Sequence, residues 1–209
     1  MMISSDGQII LKHGWDVDEQ GNAIIESHDE FMSNNIDCLY TPMDIEALFE
    51  FMAKYEELYI VVDVKGGLEI YELMIDMAKT TAHEKMLDRF IIQIYTRDEY
   101  ADMKRIYPFK NYLYTLYASD DKDFNGIAAF CLDNNIHVVT MPVGWAASSG
   151  NEIDVFKEQN IHVYVHTVND MYTVIDMNSK GIFGFYSDYL KPEDFEKAGV
   201  KCQGNSIDS

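Results

Sequence analysis

From residue 58 onward, short runs of apolar residues alternate with segments in which apolar positions recur every three to four residues. That alternation marks strands covered on both faces and separated by amphipathic helices. The apolar runs fall at residues 58–64, 90–95, 112–117, 137–141, 162–166 and 184–187, and they are rich in Val, Ile and Tyr. Helical spacing runs over residues 68–86, 97–106, 124–134, 151–159 and 170–178. A further helix is expected at 44–54, after Thr41-Pro42, with the proline near its start where a missing N–H costs least; a last one begins near Pro192.

Six strands separated by helices predict an α/β domain on a parallel sheet. An open doubly wound sheet and part of a closed eight-stranded barrel both suit the pattern, and periodicity does not choose between them. No G-x-G-x-x-G and no P-loop follows any strand, which weakens a nucleotide-binding open sheet. A complete barrel usually needs about 250 residues, so a barrel reading leaves the chain short by roughly one or two βα units, expected at the N-terminus. Residues 1–202 are read as one domain and residues 203–209, small and polar, as a fraying tail.

The net charge of −20, from 16 Lys and Arg against 36 Asp and Glu, argues against nucleic acid and anionic membranes as partners. An anionic substrate would therefore need local positive charge, from a lysine or a bound metal. The longest apolar runs, such as residues 58–62 and 90–94, fall far short of a membrane span. No basic region followed by an apolar one opens the chain, so as written it is read as cytoplasmic, although a missing N-terminal piece would take any signal with it. Cys38, Cys131 and Cys202 are odd in number and lack C-x-x-C spacing, which favours inert thiols over a zinc site or a disulfide framework.

In parallel α/β folds, function collects at the carboxyl ends of the strands. Asp63 and Lys65 stand two apart at such an end and so point to one side. A carboxylate and an ammonium there suit a divalent metal and a phosphate oxygen respectively, while an ion pair closing a strand is the plainer alternative; the residues alone leave both open. Asp6-Gly7 signals a turn, after which a short strand delivers His13 beside Trp15 and Asp16, as a proton-transfer group or a structural one. His28-Asp29 lies in a polar stretch with no strand to deliver it and ranks lower. His166, Thr167 and Asn169 follow one another at the end of the strand at 162–166, and Asp188 follows the last strand; Asn169 and Asp188 are equally suited to capping the next helices. Gln93 and Tyr95, with Trp145 in the loop after the strand at 137–141, complete a polar and aromatic lining.

Taken in order, these pieces resemble the glycerophosphodiester phosphodiesterase family, in particular a bacterial branch. That family runs from H-R-G and E-x-D on its first two strands to a D-G hairpin ending in H-D, an E-x-K strand, a W-T-V-N segment and a closing T-D. Asp6-Gly7 with His13 is similar to the hairpin, Asp63-Val64-Lys65 to E-x-K, His166-Thr167-Val168-Asn169 to W-T-V-N, and Ser187-Asp188 to T-D. The resemblance covers nearly the whole chain, but H-R-G and E-x-D have no counterpart. Gly14 stands where the family usually has Asp, and His166 where it has tryptophan.

The resemblance implies a TIM-type (β/α)8 barrel of the phospholipase-C-like phosphodiesterase kind, N-terminally truncated by its first two strands. It implies metal-dependent hydrolysis of a glycerophosphodiester to an alcohol and glycerol 3-phosphate, with His13 and Lys65 catalytic. Asp63 would be a ligand of Ca2+ or Mg2+, and Lys65, Gln93, Trp145 and His166 would contact the small phosphodiester substrate. A single carboxylate retains a metal poorly, so this chain is expected to bind one weakly and to be weak or inactive as given. The alternative is a noncatalytic module that recognises a phosphorylated or polyol ligand. Without its first strands the sheet would keep open edges, a route to self-association.

Overall fold

The protein is described by a computed structural model over residues 1–36, 39–118 and 122–200. Its residues gather in two compact units, Met1–Ile92 with Ala101–Asn111, and Gln93–Tyr100 with the described part of Tyr112–Ser209. The expected tail at 203–209 and the thiols of Cys38 and Cys202 lie outside the described residues.

The first unit opens on an antiparallel hairpin, β1 (Met2–Ile3) and β2 (Ile9–Ile10). Its turn is closed by the Gly7 N–H donating to the Ser4 carbonyl (3.0 Å), and Gly7 takes a φ of +84°, a left-handed conformation that side chains resist. Ile9 and Ile10 are fully buried, and the Leu11 N–H donates to the Met43 carbonyl, so the hairpin is held as core and not as a flap. A second hairpin, β3 (Asp16–Val17) with β4 (Ala23–Ile24), and a short helix α1 (His28–Ser33) follow. None of these three was expected from periodicity. The Asp18 carboxylate folds the tip of that hairpin by accepting from the Gln20 and Asn22 N–H groups, and Ser27 with Glu30 closes a capping box on α1.

Helix α2 (Ile45–Lys54) is started by the Asp44 side chain, which accepts from the Ala47 N–H at 2.8 Å, so Asp44 and not Pro42 provides its start signal. It buries Leu48, Phe49 and Met52 and leads into β5 (Ile60–Val62), three residues where seven were expected. The long helix expected over 68–86 is broken: α3 (Leu68–Thr80) stops before Ala82, which takes a φ of 62°, and a 3-10 helix (Glu84–Arg89) takes over. Arg89 fixes this corner by donating to the carbonyls of Met52, Tyr55, Glu56 and Leu58. Strand β6 (Phe90–Ile94) pairs parallel to β5, Ile60 opposite Phe90.

Helix α4 (Arg97–Ile106) matches its expected span and leads to β7 (Asn111–Thr115). In the second unit come α5 (Phe124–Asp133), β8 (Val138–Pro142), α6 (Val143–Ser148), a 3-10 turn (Gly150–Ile153), α7 (Asp154–Glu158) and β9 (His162–His166). Helix α8 (Met171–Ser179), β10 (Gly184–Phe185) and α9 (Pro192–Lys197) complete it, the last with proline in its first turn as expected. Parallel ladders join β7 to β8, β8 to β9 and β9 to β10. Strands β5 to β10 follow one another in chain order in the sheet, with β5 and β10 as its end strands.

Alternate residues of the second unit's strands go to opposite faces. Val139, Met141, Val163 and Val165 are buried among the helices, where Ala128, Phe156 and Val174 also pack. The same parity sends Thr115, Thr140, Tyr164 and His166 to the other face. Trp145, expected in a loop, lies on α6, because Pro142 ends β8 and the chain turns directly into the helix. Cys131 is fully buried, and burial pushes its thiol up to about 12, the inert behaviour expected of it.

Candidate functional site

Strand β5 ends in Val62 and hands the chain to Asp63 and Lys65 at its carboxyl end. Their side chains form an ion pair at 2.7 Å, each about a third exposed. Met1 lies alongside: its amino group donates to the Asp63 carbonyl at 2.5 Å, and its carbonyl accepts from the Lys65 N–H at 3.0 Å. Burial lowers the pKa of that amino group, partly opposed by the Asp63 charge and reinforced by Lys65.

A pocket of about 390 Å³ opens here, lined by His13, Lys12, Asp63 and Lys65 together with apolar residues such as Leu48 and Val61. Within the first unit, then, the structure brings together three of the residues singled out in the sequence: His13, Asp63 and Lys65. The order of causes is local. The turn at Gly7 registers β2, β2 is buried, and the chain leaving it carries Lys12 and His13 to the pocket.

His13 is exposed, and Lys12 beside it is held by Glu26 at 2.5 Å and lies 4.8 Å over the Trp15 ring. An added Cβ at Gly14 would meet nothing within 4 Å, so this glycine is not imposed by packing. His28, ranked lower in the sequence, is the better anchored histidine: its Nε2 lies 2.9 Å from the Asp44 carboxylate, and its N–H donates to Asp6. That carboxylate contact raises the His28 pKa above its usual value, which favours the charged ring at the start of α1.

The second unit carries its own polar and aromatic face at the carboxyl ends of its strands. Gln93 Nε2 donates to the Tyr95 hydroxyl at 2.5 Å, and the rings of Tyr95, Tyr117, His166 and Tyr186 follow edge to face at centroid distances of 5.7, 5.3 and 6.2 Å. The Thr140 hydroxyl lies 3.4 Å from His166 Nδ1, and burial lowers the His166 pKa, holding the ring neutral. Thr115, opposite Thr140 in the β7–β8 ladder, is fully buried, and its hydroxyl has no partner among the described residues.

Thr115, Tyr117, Thr140 and Tyr186 escaped the sequence reading; hydroxyl side chains at the ends of otherwise apolar strands were the available signal. Trp145 stands instead under the Lys122 ammonium, 4.8 Å from its ring. Asn169 and Asp188 do not cap helices. Asp170 caps α8, while Asn169 donates to the Asp188 carboxylate (3.0 Å) and accepts from the Asp188 N–H (2.8 Å), tying the β9 and β10 ends together.

The donor set does not fit a resident divalent cation. Ca2+ takes six to eight oxygens and Mg2+ six near-ideal ones. Among the described residues no three His, Cys, Asp or Glu side chains converge on one point. Asp63 is answered by an ammonium and not by a second carboxylate.

No family model matches the chain, and none of the curated proteins searched does. Solved structures do. A glycerophosphodiester phosphodiesterase from Parabacteroides distasonis superposes with a TM-score of 0.68 at 12% identity, over 94% of this chain and 79% of that one. The Thermotoga maritima glycerophosphodiester phosphodiesterase gives 0.67 at 16% identity, over 94% and 81%. An Oleispira antarctica phosphodiesterase, solved in complex with the product sn-glycerol-3-phosphate, gives 0.70 at 15% identity, over 96% and 83%. At 12 to 16% identity such likeness establishes fold and no more. The chain has the parallel α/β fold of the glycerophosphodiester phosphodiesterases.

Proposed function

We propose that the protein is a member of the glycerophosphodiester phosphodiesterase family that binds a small glycerophosphodiester, or the glycerol phosphate released from it, at the carboxyl end of β5. The observation that carries this reading is the Asp63–Lys65 pair opening with His13 onto one pocket, at the strand end where this fold does its chemistry. The Oleispira antarctica neighbour holds sn-glycerol-3-phosphate, and the reading extends that ligand class to this chain. It also takes the sheet as part of a TIM-type barrel.

In this reading Lys65 leaves Asp63 for a phosphate oxygen, a charge-assisted contact that a chain of net charge −20 must supply locally. Water attacks phosphorus as the P–O bond to the alcohol breaks, its proton passing to solvent, and the His13 imidazolium gives a proton to the departing alkoxide. Gln93, His166 and Trp145 are assigned to substrate contact by the resemblance alone. Asp63 stands where the resemblance expects a metal ligand, and the described residues bring it no second carboxylate. Turnover by these residues alone is therefore expected to be slow.

The same shortfall favours a second reading, a noncatalytic module that binds the ligand and leaves it intact. Incubation with bis(p-nitrophenyl) phosphate in Ca2+ or Mg2+ separates the two. Release of p-nitrophenol that is lost in both His13→Ala and Lys65→Met supports hydrolysis, and binding of sn-glycerol 3-phosphate without any release supports the module. No binding and no release would refute both.

A further inference from the structure

The second unit holds a larger pocket, about 650 Å³, lined among others by Lys157, His162, Asn178, Lys180 and Phe183. It begins at His162, the amino end of β9, whereas His166 closes the carboxyl end of the same strand. Four residues of extended chain separate the two histidines by about 13 Å. The pocket is thus not part of the polar face around His166, and the function proposed above makes no use of it.

Its volume lies within the range of about 300 to 1,000 Å³ typical of small-molecule sites. Its charge runs against that of the chain: Lys157 has no carboxylate partner among the described residues, while Lys180 is paired with Asp176 at 2.7 Å and Asp154 is the one carboxylate on the wall. Lys157 lies along the loop after α8, its Nζ 3.6 Å from where a Cβ on Gly181 would stand. His162 and Phe183 also line the pocket. The His162 imidazole stacks on Phe183 with centroids 3.7 Å apart and planes 21° from parallel, and its ring nitrogens have no hydrogen-bond partner among the described residues. Burial lowers the His162 pKa, which leaves a neutral ring able to donate and accept one hydrogen bond.

We propose that this pocket is a second binding site, for a small organic anion with a planar body, its phosphate or carboxylate on Lys157 and its ring against the His162–Phe183 stack. The plainer explanation, a packing gap between α7 and α8, accounts for the volume. It does not account for a lysine without a carboxylate partner and an imidazole without a hydrogen-bond partner, among the described residues, both lining that volume in so acidic a chain.

The test is calorimetric titration of the whole chain with three probes: adenosine monophosphate, 4-hydroxybenzoate and inorganic phosphate. Histidine side-chain NMR follows in parallel. Saturable binding of either ring-bearing anion is expected, with a shift of the His162 resonances, at least tenfold weaker in Lys157→Gln. Lys157 is exposed, so that variant should fold; an unchanged thermal transition verifies this. Adenosine monophosphate alone binding would assign the group to phosphate, and 4-hydroxybenzoate alone to carboxylate. Neither ring-bearing probe binding, phosphate binding as tightly as both, or affinity unaltered in Lys157→Gln would overturn the proposal. The readout is independent of Lys65, so this site can fail while the proposed function stands, and the reverse.

Discussion

Asp44 performs two separable tasks, and substitution can take them apart. Its carboxylate accepts from the Ala47 N–H at 2.8 Å, capping α2, and from His28 Nε2 at 2.9 Å. Asn at an N-cap serves about as well as Asp, whereas Ala costs about 1 kcal/mol. Asp44→Asn therefore removes the charge and keeps the cap, and Asp44→Ala removes both. A hydrogen bond between charged groups is worth about 1.5–3 kcal/mol when shielded. With side chains 27% and 20% exposed, solvent screening reduces that to about 1 kcal/mol here.

The pH dependence follows from the raised pKa of His28, set mainly by Asp44 and assisted by Asp29. A raised folded pKa contributes stability that is complete below the unfolded value of 6.5 and disappears as pH rises through the folded value. At about pH 5.5, Asp44→Asn should lose about 1 kcal/mol and Asp44→Ala about 2; at about pH 9 the losses should fall towards zero and about 1. For a chain of this length each kcal/mol moves the midpoint by about 2–4 °C, so thermal melts at the two pH values resolve the pattern. Equal losses at both pH values, or Asp44→Asn indistinguishable from the parent at the acidic one, would refute the His28 pairing.

Gly184→Ala should destabilise by about 1–3 kcal/mol, because its new Cβ would overlap the Tyr164 ring; urea titration of Gly184→Ala with Tyr164→Ala should show most of that cost relieved. Gly14→Asp should leave the thermal midpoint within about 2 °C of the parent, since nothing lies within 4 Å of the added Cβ; a large drop would place that side chain in contact with the fold. Thr140→Val should change the His166 tautomer populations in nitrogen-15 spectra while the strand stays folded, and an unchanged spectrum would show that the 3.4 Å contact does not orient the ring.

The strands in the interior of the sheet were the most legible in the sequence. Residues 162–166 coincide with β9, and 137–141 and 90–95 with β8 and β6 to within a residue at each end. Helix 97–106 was equally plain because its apolar stripe is isolated by charged residues. What was missed has tertiary causes. The break after Thr80 needs Ala82 in a left-handed conformation without the glycine that would announce it, and it is fixed by the His83 N–H on the Ala78 carbonyl and the His83 ring stacked on Phe49.

Helix α6 hid among small residues that read as a loop, which misplaced Trp145. The hairpin at Asp16–Val17 and Ala23–Ile24 has two residues per strand and no buried side chain, too little for any periodicity. Of the site, Asp63, Lys65 and His13 were legible because spacing on a strand and a D-G turn are local signals. The Thr140–His166 contact and the placing of Thr115 opposite Thr140 depend on strand register, which one strand's sequence does not carry.

The central claim, phosphate recognition by Lys65 beside His13, is tested most directly by calorimetric titration of sn-glycerol 3-phosphate into the parent chain and into Lys65→Met. Loss of a charge-assisted contact of about 1.5–3 kcal/mol predicts binding weaker by roughly 10- to 150-fold in Lys65→Met, with the folded state intact because the Asp63–Lys65 pair is partly solvated. Saturable binding to the parent that Lys65→Met leaves unchanged, or no binding to the parent at all, would contradict it.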